Sequence, residues 1–121
     1  MVEPVDDPTH VPYEGQVFQV YRTPRFDKWL RTLRNRLARS RILDRLDRIA
    51  FGHVGDAKPV GGGVFELRFA FGPGYRIYYM CKGDKLIFLL LGGDKDSQAR
   101  DIAQAKTLAK EVDDGIEDAP L

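Results

Sequence analysis

Residues 64–91 hold three stretches whose side chains either alternate in character with a period of two or run apolar without a break, and such a pattern demands adjoining β-strands. Side chains alternate faces along a strand. In the first stretch Phe65, Leu67, Phe69 and Phe71 therefore point one way, and Glu66 and Arg68 the other. After the turn Gly72-Pro73-Gly74, Ile77 and Tyr79 continue the apolar face, with Arg76 and Tyr78 opposite. Lys82-Gly83-Asp84 leads into residues 85–91, which read as a central strand covered on both sides. One face of this sheet is thus expected to carry a cationic, hydrogen-bonding patch of Glu66, Arg68, Arg76 and Tyr78, suited to a polyanion.

Upstream, residues 16–23 read as a strand through Val17, Val20 and Tyr21, with Thr23 as N-cap and Pro24 as the first helical residue. Residues 25–51 contain no Gly or Pro. Apolar side chains recur there at helical spacing, at Phe26, Trp29, Leu30, Leu33 and Leu37, then at Ile42, Leu43, Leu46, Ile49 and Ala50. One rod of that length, about 40 Å, would overhang so small a domain. A break at Arg34-Asn35, with Asn35 as a second N-cap, gives an antiparallel helical hairpin ended by Gly52 and Gly55. Residues 56–63, with Lys58-Pro59 and Gly61-Gly62-Gly63, read as a loop. A last helix over residues 97–112, capped by Asp96 or Ser97, turns Ile102, Ala105, Leu108 and Ala109 to the sheet. The order β-α-α-β-β-β-α makes an α+β domain, a small antiparallel sheet packed against an N-terminal helical hairpin and a C-terminal helix. The domain spans residues 16–112. Residues 1–15, with Pro4, Pro8 and Pro12, are expected to form a flexible acidic arm, and residues 113–121 an acidic tail.

The net charge of +1 conceals an uneven distribution. Glu3, Asp6, Asp7 and Glu14 at one end, and Glu111, Asp113, Asp114, Glu117 and Asp118 at the other, take half of the 18 acids and none of the 19 bases. The body between them carries about +10 in formal charge, which points towards nucleic acid. The arginines 31, 34, 36, 39, 41, 45 and 48 of the helical stretch either grip RNA phosphates or form a solvated face paired with Asp44 and Asp47. Cys81 is alone, no apolar run reaches membrane-spanning length, and the acidic N-terminus lacks a signal-peptide pattern, so a cytoplasmic location is expected. His10, His53 and Cys81 are too few and too scattered for a zinc site, and no metal or other cofactor is expected. Gly92-Gly93-Asp94-Lys95 lacks the first Gly and the Lys-Ser/Thr ending of a phosphate loop and reads as glycines that let the strand turn into the last helix.

Taken in order, the runs Gly63-Val64-Phe65-Glu66-Leu67-Arg68, Gly72-Pro73-Gly74-Tyr75-Arg76-Ile77-Tyr78-Tyr79, Leu91-Gly92-Gly93-Asp94-Lys95-Asp96-Ser97-Gln98 and Asp101-Ile102-Ala103 resemble the HigB-like branch of the RelE/ParE superfamily. These are addiction module killer proteins of bacterial type II toxin–antitoxin pairs. The resemblance implies a RelE-like fold and a ribosome-dependent mRNA endoribonuclease that blocks translation. Its partners would be the ribosome, mRNA and a cognate helix-turn-helix antitoxin. Metal-free cleavage needs a base for the 2′-hydroxyl proton, cations for the charge on the phosphorane and an acid for the leaving 5′-oxygen. By resemblance Arg76, directly after Gly74-Tyr75, supports the transition state, with Arg68 beside it and Lys95 joining them. Tyr78 is expected to stack on a base or donate a proton, its phenol pKa lowered by the neighbouring cations. Lys58, Glu66, Arg39 and Arg45 are the expected RNA contacts. Glu66 stands where well-known ribonuclease members carry Lys, which leaves it open as a general base or as an ion-pair partner of Arg68 or Arg76. The last helix lacks the aromatic or His that some members use as acid. Two other roles stay open, gyrase binding as in the ParE branch and a non-catalytic binding partner.

Overall fold

A computed structural model describes residues 17–115. The expected arm at residues 1–15 lies outside these described residues, as does the expected tail from residue 116 on; residues 113–115, expected to belong to that tail, continue the last helix instead, where Asp113 pairs with Lys82. The chain starts with strand β1 (Gln19–Arg22), which runs straight into helix α1 (Pro24–Thr32). Thr23 makes that junction: its hydroxyl accepts from the Phe26 amide at 3.0 Å and donates to the Leu90 carbonyl at 2.7 Å. The cap that starts the helix therefore also ties it to the sheet. The expected break follows, with the Asn35 side chain accepting from the Ala38 amide at 3.0 Å to start helix α2 (Arg36–Ala50).

Four further strands come next, β2 (Ala57–Gly61), β3 (Val64–Arg68), β4 (Arg76–Lys82) and β5 (Leu86–Gly93), and then helix α3 (Gln98–Gly115). Strand β2 occupies the expected loop. Pro59, which argues against a strand, is tolerated because β2 lies at the sheet edge, where a missing N–H disturbs no second ladder. Gly62 and Gly63, with φ of 64° and 78°, supply the two positive-φ residues of a tight hairpin turn from β2 to β3. The sheet order is β1-β5-β4-β3-β2, with antiparallel pairs except at β1. There Tyr21 lies opposite Phe88 in a parallel pairing, which corrects the expectation of an all-antiparallel sheet. Parallel neighbours need a long crossover, and everything from α1 to β4 supplies it.

Both faces of the sheet are covered. Phe26 and Leu30 of α1 and Ile42, Leu46 and Ile49 of α2 pack on Leu67, Phe69, Ile77, Tyr79, Ile87 and Leu89. On the other face Ala105 and Ala109 of α3 meet Val64, Tyr78, Met80, Phe88, Leu90 and Leu91. A bulge allows Leu90 and Leu91 to share that face: Tyr78 pairs with Leu91 but Tyr79 with Leu89, so Leu90 is the extra residue. Among the described residues no helix is long and apolar enough to cross a membrane.

Candidate functional site

The ladder registers place the predicted residues in two rows on the α3 side of the sheet. Lys58, Glu66, Tyr78 and Leu91 form one row, and Arg68, Arg76 and Gly93 the next. The alternation read from the sequence is therefore correct, but the face is not open. Helix α3 lies over it, so Glu66 and Tyr78 are 0% exposed and Arg76 only 7%.

Burial under α3 forces the polar groups to find partners within the protein. The Tyr78 hydroxyl donates to Glu66 Oε2 at 3.0 Å, and the Gln98 side-chain amide donates to the same oxygen at 2.7 Å. Glu66 Oε1 is buried without a partner, and so is Arg76 Nε. Arg76 Nη1 is held by two carbonyls of the preceding turn, Gly74 at 3.0 Å and Tyr75 at 3.1 Å. The Tyr78 phenol is pushed above the ordinary tyrosine value, first by burial, then by its hydrogen bond to Glu66 and by the Glu66 and Asp101 charges, which outweigh Arg76. That reverses the expected direction. The sequence reading counted the cations in the row and missed the lid that desolvates them; a side chain this buried is not placed to stack on a base.

Lys95 and Arg76 meet over Gly74. A Cβ added at Gly74 would lie 2.7 Å from Lys95 Cδ, 2.8 Å from its Cγ and 3.4 Å from Arg76 Nη1. The missing side chain leaves room for the stem of Lys95, which is exposed. Arg68, across the ladder from Arg76, is partly exposed, and its Nε is 3.7 Å from Asp56 Oδ2. Lys58 is exposed on the edge strand. Arg68, Arg76 and Lys95 thus lie toward the end of the sheet where α3 begins, with Lys58 in the adjoining row.

Gly92 and Gly93 have another purpose than the expected turn, since β5 runs through both. A Cβ at Gly92 would overlap the Trp29 ring on one face, and one at Gly93 would overlap the Asp101 carboxylate on the other. Asp101 is itself buried and accepts from the Ser97 hydroxyl at 2.5 Å. Asp94 Oδ1 accepts from the Asp96 and Ser97 amides at 2.9 and 3.2 Å, which fixes the entry to α3.

Arg39 and Arg45 do not join the site, because α2 packs on the opposite face. Arg45 donates to the carbonyls of Arg68, Val54 and Asp56, and its guanidinium sits 4.5 Å from the Phe69 ring. Burial lowers its pKa, with Asp56 opposing. Arg39 donates to the Leu33 carbonyl. Both are ties that hold the helical pair and its loops in place. Asp44 and Asp47 make no ion pair among the described residues, so the alternative in which they pair with the arginines along α2 does not hold. Among the described residues no cluster of three or more His, Cys, Asp or Glu could hold a metal ion.

Gln98 and Asp101 were not foreseen as part of the site. They stand at i and i+3 of the same stripe that continues through Ile102, Ala105 and Ala109, so the helical period did carry the signal.

Comparison with known proteins bears on family and fold. The family described as "Phage derived protein Gp49-like (DUF891)" matches residues 28–114. A Haemophilus influenzae protein described as "Uncharacterized protein" is 47% identical over 94 residues, covering 78% of this chain and 95% of the relative. Among solved structures, a double arginine-to-alanine mutant of the E. coli toxin RelE in the free state superimposes with a TM-score of 0.60. That match has 17% sequence identity and covers 75% of this chain and 95% of the other, so the likeness is one of fold.

Proposed function

The chain belongs to the Gp49-like family of phage-derived proteins and shares the fold of RelE, and from this we propose that it is the toxin of a type II toxin–antitoxin pair. On this reading it is of the HigB-like kind and cuts mRNA on the translating ribosome, and a helix-turn-helix antitoxin holds it inactive.

The observation that carries the reading is that Arg76 and Arg68 are ladder partners at one end of the sheet, with the stem of Lys95 and a guanidinium nitrogen of Arg76 both close to Gly74. Attack of a 2′-hydroxyl oxygen on the adjacent phosphorus forms the P–O2′ bond and breaks the P–O5′ bond, giving a 2′,3′-cyclic phosphate and a 5′-hydroxyl end. Negative charge grows on the phosphoryl oxygens during this step. Fixed guanidinium groups stabilise it most where water is excluded, and Arg76 lies in such a place. Arg68 and Lys95, more exposed, take up the phosphate as it arrives, with Lys58 at the rim. Glu66 and Tyr78 act from beneath, by holding the first turn of α3 through Gln98.

The test is to map mRNA 5′ ends in a reconstituted translation reaction with and without ribosomes. Cuts within codons that appear only during translation, and vanish with Arg76→Ala, support the reading. Growth arrest without any cuts would move the function to binding without cleavage, as in a gyrase poison. The burial of Glu66 and Tyr78 beneath α3 is the feature that favours that second reading.

A further inference from the structure

A hollow of about 240 Å³ lies between α2 and the stretch Phe69-Ala70-Phe71 that follows β3, on the face of the sheet away from α3. Arg41, Asp44, Arg45 and Arg48 stand at i, i+3, i+4 and i+7 and line it from one side of the helix. These four charges are not engaged alike. Arg45 donates to the carbonyls of Arg68, Val54 and Asp56 and rests 4.5 Å from the centre of the Phe69 ring, so it is part of the wall. Arg41 lies 5.2 Å from the centre of the Phe71 ring. Arg41, Asp44 and Arg48 are exposed, and none of them has an ion pair among the described residues, although each arginine lies within a helical turn of the carboxylate. A free acceptor therefore stands between two free cations, about 4.5 Å along the axis from Arg41 and about 6 Å from Arg48.

This lining selects its occupant. A bare anion gains from Arg41 and Arg48 but meets the Asp44 carboxylate between them, and a bare cation has the converse difficulty. What fits is one molecule with three parts: a planar ring to lie against a guanidinium or a phenyl ring, N–H donors for a carboxylate, and an anionic group for a second guanidinium. A nucleotide has all three. Among the four bases of RNA, guanine alone offers two neighbouring N–H donors on its Watson–Crick edge, from N1 and from the 2-amino group, and a carboxylate accepts both at once. The volume falls below the roughly 300 Å³ at which pockets for drug-sized molecules begin, which suits a single ring system.

We propose that this hollow is a subsite for one guanine of single-stranded RNA, read by Asp44, with Arg41 and Phe71 against the base and Arg48 on the adjoining phosphate. The proposal rests on the reading of RNA as the ligand, and not on cleavage at Arg76. Arg68 is the last residue of β3, and Phe69, the next in the chain, is in the wall of the hollow. Their side chains point to opposite faces. An RNA strand that passes round this end of the sheet meets Arg68 and Arg76 on one face and the hollow on the other, so the base is read away from the cut.

Amide NMR on the full chain, titrated without ribosomes, tests this. The probes are 2′-O-methyl hexamers of uridine with a single guanosine, adenosine or cytidine in the middle; they lack the hydroxyl that attacks, so the result does not depend on whether Arg76 cuts. The guanosine hexamer should move the signals of Asp44, Ala70 and Phe71 and bind on the order of tenfold tighter than the other two. Asp44→Asn should erase that preference. Arg48→Gln should weaken all the hexamers alike and lower the salt dependence by about one phosphate. Both side chains are exposed, so the fold is kept. Equal binding of the hexamers, or a preference that survives Asp44→Asn, overturns the proposal. So does inorganic phosphate that moves the same signals at the concentration where the guanosine hexamer does, which would make the hollow an anion site. Tighter binding of GTP than of the guanosine hexamer overturns it as well, by making the ligand a free nucleotide.

Discussion

The two faces of the sheet are built on different terms. Beneath α1 and α2 the contacts are almost wholly apolar, with Phe26, Ile42, Ile49, Leu67 and Ile77 fully buried. Beneath α3 a carboxylate, a phenol and most of a guanidinium are sealed among Val64, Met80, Phe88 and Leu90. Burying an ionisable group costs several kcal/mol unless it is paired, and here one carboxylate oxygen and one guanidinium nitrogen stay bare. An apolar residue at Glu66 would be the simpler way to fill that space. Departures of this kind from consistent packing gather where a chain answers to something besides stability. The helical pair carries the fold, and the α3 face, at its open end, carries the cations.

If the faces divide the work in this way, damage to each should read out differently. Phe26→Ala removes a fully buried ring from the apolar face and should cost about 3–5 kcal/mol in urea unfolding. RNA cleavage per folded molecule should stay unchanged; a loss of activity in the folded fraction would break the division. Arg76→Ala should do the converse and lower the cleavage rate about 10²–10³-fold, the scale for losing one fixed transition-state donor. Its cost in stability should be small, since it also removes the buried, unpartnered Nε. A large drop in melting temperature with proportionate activity would make Arg76 a structural residue.

Glu66→Ala should fall between stability and function. It strips the Tyr78 hydroxyl and the Gln98 amide of their common acceptor, at about 1–3 kcal/mol. Because Gln98 is the first residue of α3, amide exchange in that turn should quicken while α2 stays protected. Uniform loosening across both helices would show that the two faces are one cooperative unit with no separate latch.

How far the sequence disclosed this depends on which kind of signal was needed. Alternation at Glu66, Leu67 and Arg68 fixes faces, and Thr23 and Asn35 fix helix starts, because both are local and follow from short-range sterics and hydrogen bonding. Strand β2 escaped notice because Pro59 is forbidden only in a strand with two neighbours, and its edge position is a tertiary fact. Of the candidate site the sequence disclosed which residues share a face and not their environment. Arg76 and Arg68 do share a face, yet the lid over Tyr78 arises from where α3 docks, and that reversed the sign expected for the phenol. Gln98 and Asp101 stood in the apolar stripe of α3 as its polar end, a clue that carries weight only once the buried Glu66 is known to face them.

The smallest effect probes the burial of both faces by pH. Tyr78 and Tyr79 are neighbours in β4 that point to opposite faces, and both phenols are raised. Burial lifts Tyr79 to about 12, with Arg45 opposing, while Tyr78 is raised further by burial together with Glu66 and Asp101. An unfolded tyrosine ionises near pH ~10. The folded protein thus keeps protons that the unfolded chain gives up, so the contribution of each phenol is fully present below about pH 10 and is lost as pH rises through the folded value. Near pH 7, Tyr78→Phe should cost only about 1 kcal/mol, one hydrogen bond, because Gln98 still donates to Glu66. In urea unfolding at pH 7 and pH 11, Tyr78→Phe and Tyr79→Phe should each flatten the alkaline fall in stability, and by about the same amount, because both phenols stay protonated in the folded protein at pH 11. A fall as steep as the parent's in Tyr78→Phe alone would mean that the α3 face is the less desolvated of the two, and the contrast between the faces would have to be redrawn.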